Sequence, residues 1–151
     1  MKIGDTIKIK GYRYLPHTAD VKFVAFGKSM EKAFDNSAMA LFDTIAEVKE
    51  LERLDEKVYI LKLKANSDDI KDLLWKMLQR CLSVSDSKGL FCYKCSSKIT
   101  IKNKKYFLNY VVSCRKKNVE CSKLEVKGIS KYDMEIKKSK KGFKITAVVD
   151  V

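Results

Sequence analysis

The apolar positions Ile70, Leu73, Leu74, Met77, Leu78, Cys81 and Leu82 recur at steps of three and four residues. Only a helix with one buried face satisfies that spacing. Asn66-Ser67-Asp68-Asp69 precedes it and supplies a capping residue and early acids, so a helix starts there. Trp75 falls at the border of the stripe, and Ser83 to Gly89 reads as a polar turn region. A second stripe, Met30, Ala33, Phe34, Ala38, Leu41, Phe42 and Ile45, has the same spacing. Ser29 is its expected N-cap and Glu31 favours its first turn, while Glu31, Lys32 and Asp35 lie off the stripe. Glu47 to Glu56 reads as a charged connection.

Most other segments have strand composition. They are Tyr12 to Leu15, Lys22 to Phe26, Val58 to Ala65, Leu90 to Tyr93, Lys98 to Lys102, Tyr106 to Cys114, Leu124 to Lys137 and Phe143 to Val151. Asp5 to Lys10 alternates and adds a short strand at the start. Asn103-Lys104-Lys105 and Ser139-Lys140-Lys141-Gly142 are the expected turns, and Arg115 to Lys123 a polar loop. The pattern predicts an α+β chain in which two amphipathic helices pack on one face of a mixed, mostly antiparallel sheet. At 151 residues, with no repeat and no linker, residues 1–151 are expected to form a single domain, with residues 1–11 as an N-terminal extension.

Lys and Arg number 32 against 19 acids, a formal charge of +13. That balance favours a polyanionic partner, and it comes almost wholly from scattered lysines, the arginines being Arg13, Arg53, Arg80 and Arg115. Weak, salt-sensitive contact with RNA is therefore expected. No apolar run reaches the roughly 20 residues of a membrane span. Lys2, Asp5, Lys8 and Lys10 break up any signal-peptide pattern, so no membrane association and a cytoplasmic location are expected. Cys81, Cys92, Cys95, Cys114 and Cys121 make an odd set that argues against a disulfide framework. Cys92 and Cys95, three apart on a strand, should face opposite sides and read as reduced structural thiols, not as half of a zinc site.

The chemistry-bearing residues lie at two places far apart in sequence. Leu15-Pro16-His17-Thr18-Ala19-Asp20 holds the single proline and the single histidine. Pro16 fixes its own φ, and Thr18 and Asp20 can bond nearby backbone, which makes a rigid turn carrying an imidazole and a carboxylate. At the other end a strand runs Ile145-Thr146-Ala147-Val148-Val149 into Asp150 and Val151. If Asp20 meets Asp150 and the oxygens of Val151, anionic groups converge, and a cation or a shared proton must offset their repulsion. Hard oxygen donors suit Ca²⁺, Mg²⁺ or Mn²⁺. His17 would then orient Asp20 or hold the turn, supported by Thr18.

Tyr14-Leu15-Pro16-His17-Thr18-Ala19-Asp20-Val21 followed by Ala25-Phe26-Gly27-Lys28 resembles the opening of the archease family. The segment Glu31 to Phe42, Glu125-Val126-Lys127-Gly128-Ile129 and the final Val148-Val149-Asp150-Val151 are similar as well. The resemblance implies an α+β fold and a metal held by Asp20 and Asp150, with Val151 giving main-chain or terminal oxygens. It also implies a function. Archeases are protein cofactors, not enzymes; they activate the GTP-dependent tRNA-splicing RNA ligase by promoting its guanylylation and multiple turnover. The ligase is thus the expected partner, with weak contact to RNA or GTP. The chain departs from the family where archeases carry Tyr-His: here Lys131-Tyr132 stand near those positions and the histidine is missing. Two readings from other classes are a metal-dependent phosphoesterase using the same carboxylates and a basic RNA-binding or chaperone-like module.

Overall fold

The computed structural model describes residues 11–16 and 20–151. The expected strand over Asp5 to Lys10, and nearly all of the proposed N-terminal extension, lie outside the described residues. In order, the chain forms β1 (Tyr12–Leu15), β2 (Asp20–Gly27), α1 (Met30–Ile45), α2 (Val48–Arg53), β3 (Tyr59–Ser67), α3 (Ile70–Lys88), β4 (Leu90–Lys102), β5 (Lys105–Lys116), a 3₁₀ turn (Val119–Cys121), β6 (Gly128–Ile129), β7 (Glu135–Ser139) and β8 (Gly142–Asp150). The α+β class is as the sequence predicts, but among the described residues the strands form two sheets in place of one mixed sheet, and every pairing is antiparallel. One sheet runs β1-β2-β8, with β6 and β7 sharing the far edge of β8; the other runs β3-β5-β4.

Helix α1 explains why two sheets coexist. It packs against β2 on one side and β4 on the other. Its buried residues, Ala33, Phe34, Ser37, Ala38, Ala40, Leu41, Phe42 and Thr44, exceed a single stripe because two surfaces need covering. The small residues let the backbone come close, and the Ser37 and Thr44 hydroxyls are satisfied by donating to the Ala33 and Ala40 carbonyls at 2.9 and 2.8 Å. Ser29 caps the helix by accepting from the Lys32 amide, as its position predicts. Gly27 is required just before it, since a Cβ there would collide with the Ala33 backbone nitrogen. Helix α3 packs on the inner face of the β3-β5-β4 sheet and touches α1. Phe23, Phe34, Leu41, Leu73, Leu74, Met77, Leu78 and Ile145 are fully buried in one core.

Five local expectations are corrected. The stretch Ser83 to Gly89 is not a turn: α3 continues to Lys88 because Val84 and Ser85 extend its buried face, and Gly89 ends it with φ 64°. The charged connection after α1 contains α2, which buries Val48 and Leu51. Arg115, expected in a loop, is 6% exposed and ends among the carbonyls of α2 and the segment just after it, its Nε donating to Leu51 at 2.5 Å and its Nη1 to Glu56. Leu124 to Lys137 is largely irregular, with only β6 and the start of β7 paired, since alternation there is not matched by a continuous neighbour. The turn between β4 and β5 is tighter than expected: Lys105 already pairs with Lys102, and Asn103 and Lys104 take φ of 52° and 62° in a two-residue hairpin.

The cysteines show how one backbone irregularity defeats alternation. A bulge between Cys92 and Lys94 inserts a residue, so Cys92 opposes Cys114 and Cys95 opposes Val112. Cys92 and Cys95 therefore share the buried face, contrary to strict alternation, and all five cysteines are buried and free. Burial pushes the Cys81 and Cys95 thiols well up, which keeps them protonated core groups. Among the described residues no helix is long and apolar enough to cross a membrane.

Asp35 is a second departure from the stripe pattern. It faces β4, half-buried, with the Cys95 thiol 3.9 Å away. Burial pushes its carboxyl up to about 6, although Ser97 and Lys32 pull the other way. A folded-state value above the usual carboxylate range means that this group's contribution to stability is full below about pH 4 and is lost as pH rises through about 6. Urea midpoints at pH 4.5 and 7 should therefore diverge more in the native protein than in Asp35→Asn; an equal divergence would refute the assignment.

Candidate functional site

Asp20, the first residue of β2, and the end of β8 meet because β2 and β8 are neighbours in register. Asp20 pairs with Asp150, Val21 with Val149 and Lys22 with Val148. Directly opposed residues of an antiparallel pair project to one face with Cβ atoms about 5 Å apart. Two carboxylates from opposite ends of the chain are thus side by side. Gly128 of β6 pairs with Asp150 from the other edge, making a row Asp20, Asp150, Gly128 across three strands. A Cβ on Gly128 would stand 3.8 Å from Asp150 Oδ2, so the carboxylate leans over the glycine. The Lys127 amide donates to the Asp150 carbonyl at 2.7 Å and holds that strand end in place. Val151 follows directly and is 36% exposed. His17 and Thr18 lie outside the described residues.

A cavity of about 420 Å³ opens beside this row, lined by Tyr14, Leu15, Pro16, Asp20, Val21, Asp43, Thr44, Lys123 and Leu124. Asp43 at its wall accepts a hydrogen bond from the Tyr12 hydroxyl at 2.9 Å and pairs with the Lys123 ammonium at 3.5 Å. The Tyr14 hydroxyl donates to the Ala40 carbonyl at 3.0 Å, and its phenol is pushed up to about 12, chiefly by burial. Asp43 was not among the sequence candidates. It lies on the solvent side of α1 by periodicity, and only the approach of β1 and of the segment before β6 makes it part of a pocket wall.

Among the described residues no group of three or more His, Cys, Asp or Glu side chains gathers into a metal cluster. What the row does offer is two carboxylates at cross-strand distance, with Lys22 as a same-face neighbour of both. Like charges directly opposed cost a sheet about 0.2–1 kcal/mol. A hard cation bridging them would remove that cost, and oxygen donors are what Ca²⁺, Mg²⁺ and Mn²⁺ accept. The donor chemistry fits such an ion, with Asp20 and Asp150 as its carboxylates and further oxygens from main chain or water.

The Lys131-Tyr132 departure is also placed. Lys131 bonds Asp72 of α3 at 2.8 Å and lies over the Trp75 ring at 4.8 Å, while Tyr132 is 98% exposed. Trp75 Nε1 donates to the Ile129 carbonyl at 2.9 Å, so the tryptophan at the border of the α3 stripe fastens β6 to the helix. Lys131 and Lys76 hold the Asp72 carboxyl well below the usual range.

A helix clamped between two antiparallel sheets, with a pair of carboxylates where β2 begins and β8 ends, defines a small α+β protein class. The profile of the Archease protein family (MTH1598/TM1083) matches residues 12–151, and the chain belongs to that family. It is 29% identical over 145 residues to the archease of Methanosarcina mazei, covering 94% of this chain and 97% of that one. It is 32% identical over 132 residues to the archease of Pyrococcus abyssi, with 86% and 90% covered. The solution structure of Methanobacterium thermoautotrophicum protein 1598 superposes with a TM-score of 0.79 at 25% identity, over 93% of this chain and 99% of that one. A Thermotoga maritima crystal structure, described as an archease and possible chaperone, has the same fold at a TM-score of 0.58 and 16% identity, over 92% of this chain and 96% of that one.

Proposed function

We propose that this protein activates a GTP-dependent tRNA-splicing RNA ligase in the cytoplasm, acting as a protein cofactor and not as an enzyme. Family membership supports the reading, and the observation that carries it is the in-register pairing of Asp20 with Asp150. Nucleotidyl transfer to a ligase needs a cation and positive charge around the phosphates. A bound divalent ion would supply that charge at the tip. Asp20 and Asp150 would hold the ion, Val151 would add main-chain or terminal oxygens, and His17 and Thr18 would support Asp20. The description of the Thermotoga relative as a possible chaperone is compatible with a helper that acts on a partner protein.

The direct test is ligation by limiting cognate ligase with excess 3′-phosphate RNA, GTP and Mn²⁺, with and without this protein. Conversion of stalled ligation into many turnovers, with faster guanylylation, is expected. Unchanged rate and unchanged guanylylation would end this reading.

A further inference from the structure

The outer face of the β3-β5-β4 sheet has no partner element among the described residues, since α1 and α3 both cover its inner side. Neither β3, β4 nor β5 contains an aspartate or glutamate. On the outer face the register aligns Lys62–Val111–Ser96, Lys64–Asn109–Lys98 and Asn66–Phe107–Thr100 in successive rows, with Lys94 opposite Ser113 beyond them. All of these lysines are exposed, and Phe107 and Val111 on the central strand are each 36% exposed. A cationic groove of about 480 Å³ continues the surface around the β3 edge, where Arg80 of α3, and Lys76 paired with Asp72 at 3.1 Å, join Lys62 and Lys64.

We infer that this face binds single-stranded RNA, with Phe107 as a stacking platform for a base and Lys62, Lys64, Lys94 and Lys98 along the phosphates. A merely solvated surface mixes charges of both signs, as the β7 strand does with its Glu135–Lys137 pair at 3.1 Å. Here lysines surround exposed apolar groups with no carboxylate among them. Every base has a π-face, so one aromatic within a positive groove suits single strands without sequence preference. A duplex presents its bases stacked and leaves Phe107 nothing to engage. The surface is separate from the Asp20–Asp150 row on the other sheet, so the inference does not depend on the ligase reading.

The experiment is fluorescence anisotropy of a labelled 12-nucleotide oligouridylate, from 50 to 200 mM KCl, with no ligase present. Four phosphate-contacting lysines predict a slope of log K against log salt near −3, at about −0.7 per contact. Phe107→Ala should weaken binding roughly tenfold and Phe107→Tyr should retain it. Lys62→Gln, Lys64→Gln and Lys98→Gln together should bring the slope to about −1. The equal charge loss of Lys137→Gln, Lys140→Gln and Lys141→Gln on the β7–β8 hairpin should leave affinity within about twofold. An equal loss from the hairpin variant, or no effect of Phe107→Ala, overturns the proposal. So does equal competition by duplex RNA or by polyglutamate, the latter pointing to an acidic protein surface.

Discussion

Replacing Asp20 and Asp150 together by asparagine should abolish ligase activation while leaving the fold as stable as before, or more so. The two side chains face each other across β2 and β8, and asparagine keeps their shape and removes their repulsion. Without a divalent ion, relief of the like-charge pair is set against the loss of Asp20's own contacts, so the variant should stay within about 1 kcal/mol of the native protein or gain slightly. With an ion the ranking reverses. A ligand that binds only the folded state stabilises by about 2.7 kcal/mol at a concentration 100 times its Kd. For a chain of 151 residues that is an upward shift of roughly 5–10 °C in Tm. Thermal melts in EDTA and in millimolar Ca²⁺ or Mn²⁺ should show this shift in the native protein and not in Asp20→Asn/Asp150→Asn. An equal shift in both proteins would remove the metal from this site. Full activation by the variant would remove the site from the activity. Because the two readouts are separate, loss of one does not imply loss of the other.

Phe34→Ala should be the most damaging single change to the fold. Phe34 is fully buried on the helix that both sheets share, so its loss opens a void that neither sheet can close alone. Truncating a buried phenylalanine costs about 3–5 kcal/mol, against a total stability of about 5–15 kcal/mol. A fall in Tm of roughly 6–20 °C is expected. A cost below about 1.5 kcal/mol would mean that α1 is not clamped as described. Phe107→Ala is the internal contrast: its ring is 36% exposed on an outer face, so the fold should change by no more than about 0.5 kcal/mol while RNA binding suffers.

The sequence alone determined the two long helices, since the stripes of α1 and α3 each follow from local spacing that the structure keeps, but it missed the short α2 and the last turns of α3. It also determined most strands, the capping by Ser29, and the family, through motifs spread in order from Tyr14 to Val151. It singled out Asp20 and Asp150 as chemistry-bearing ends, but that they meet followed there only from the family resemblance and not from the residues. That meeting is a matter of which strand lies beside which, and strand order rests on contacts far apart in the chain. The same limit hid the division into two sheets: local spacing cannot show that α1 has a surface on each side. It hid Asp43, Arg115 and Asp35 as well, polar residues whose environments come from β1, α2 and β4. Cys92 and Cys95 mark the finest grain of that boundary. A single bulged residue moved both thiols to one face, and a bulge is set by how β4 must bend against β5, which no count of residues along one strand records.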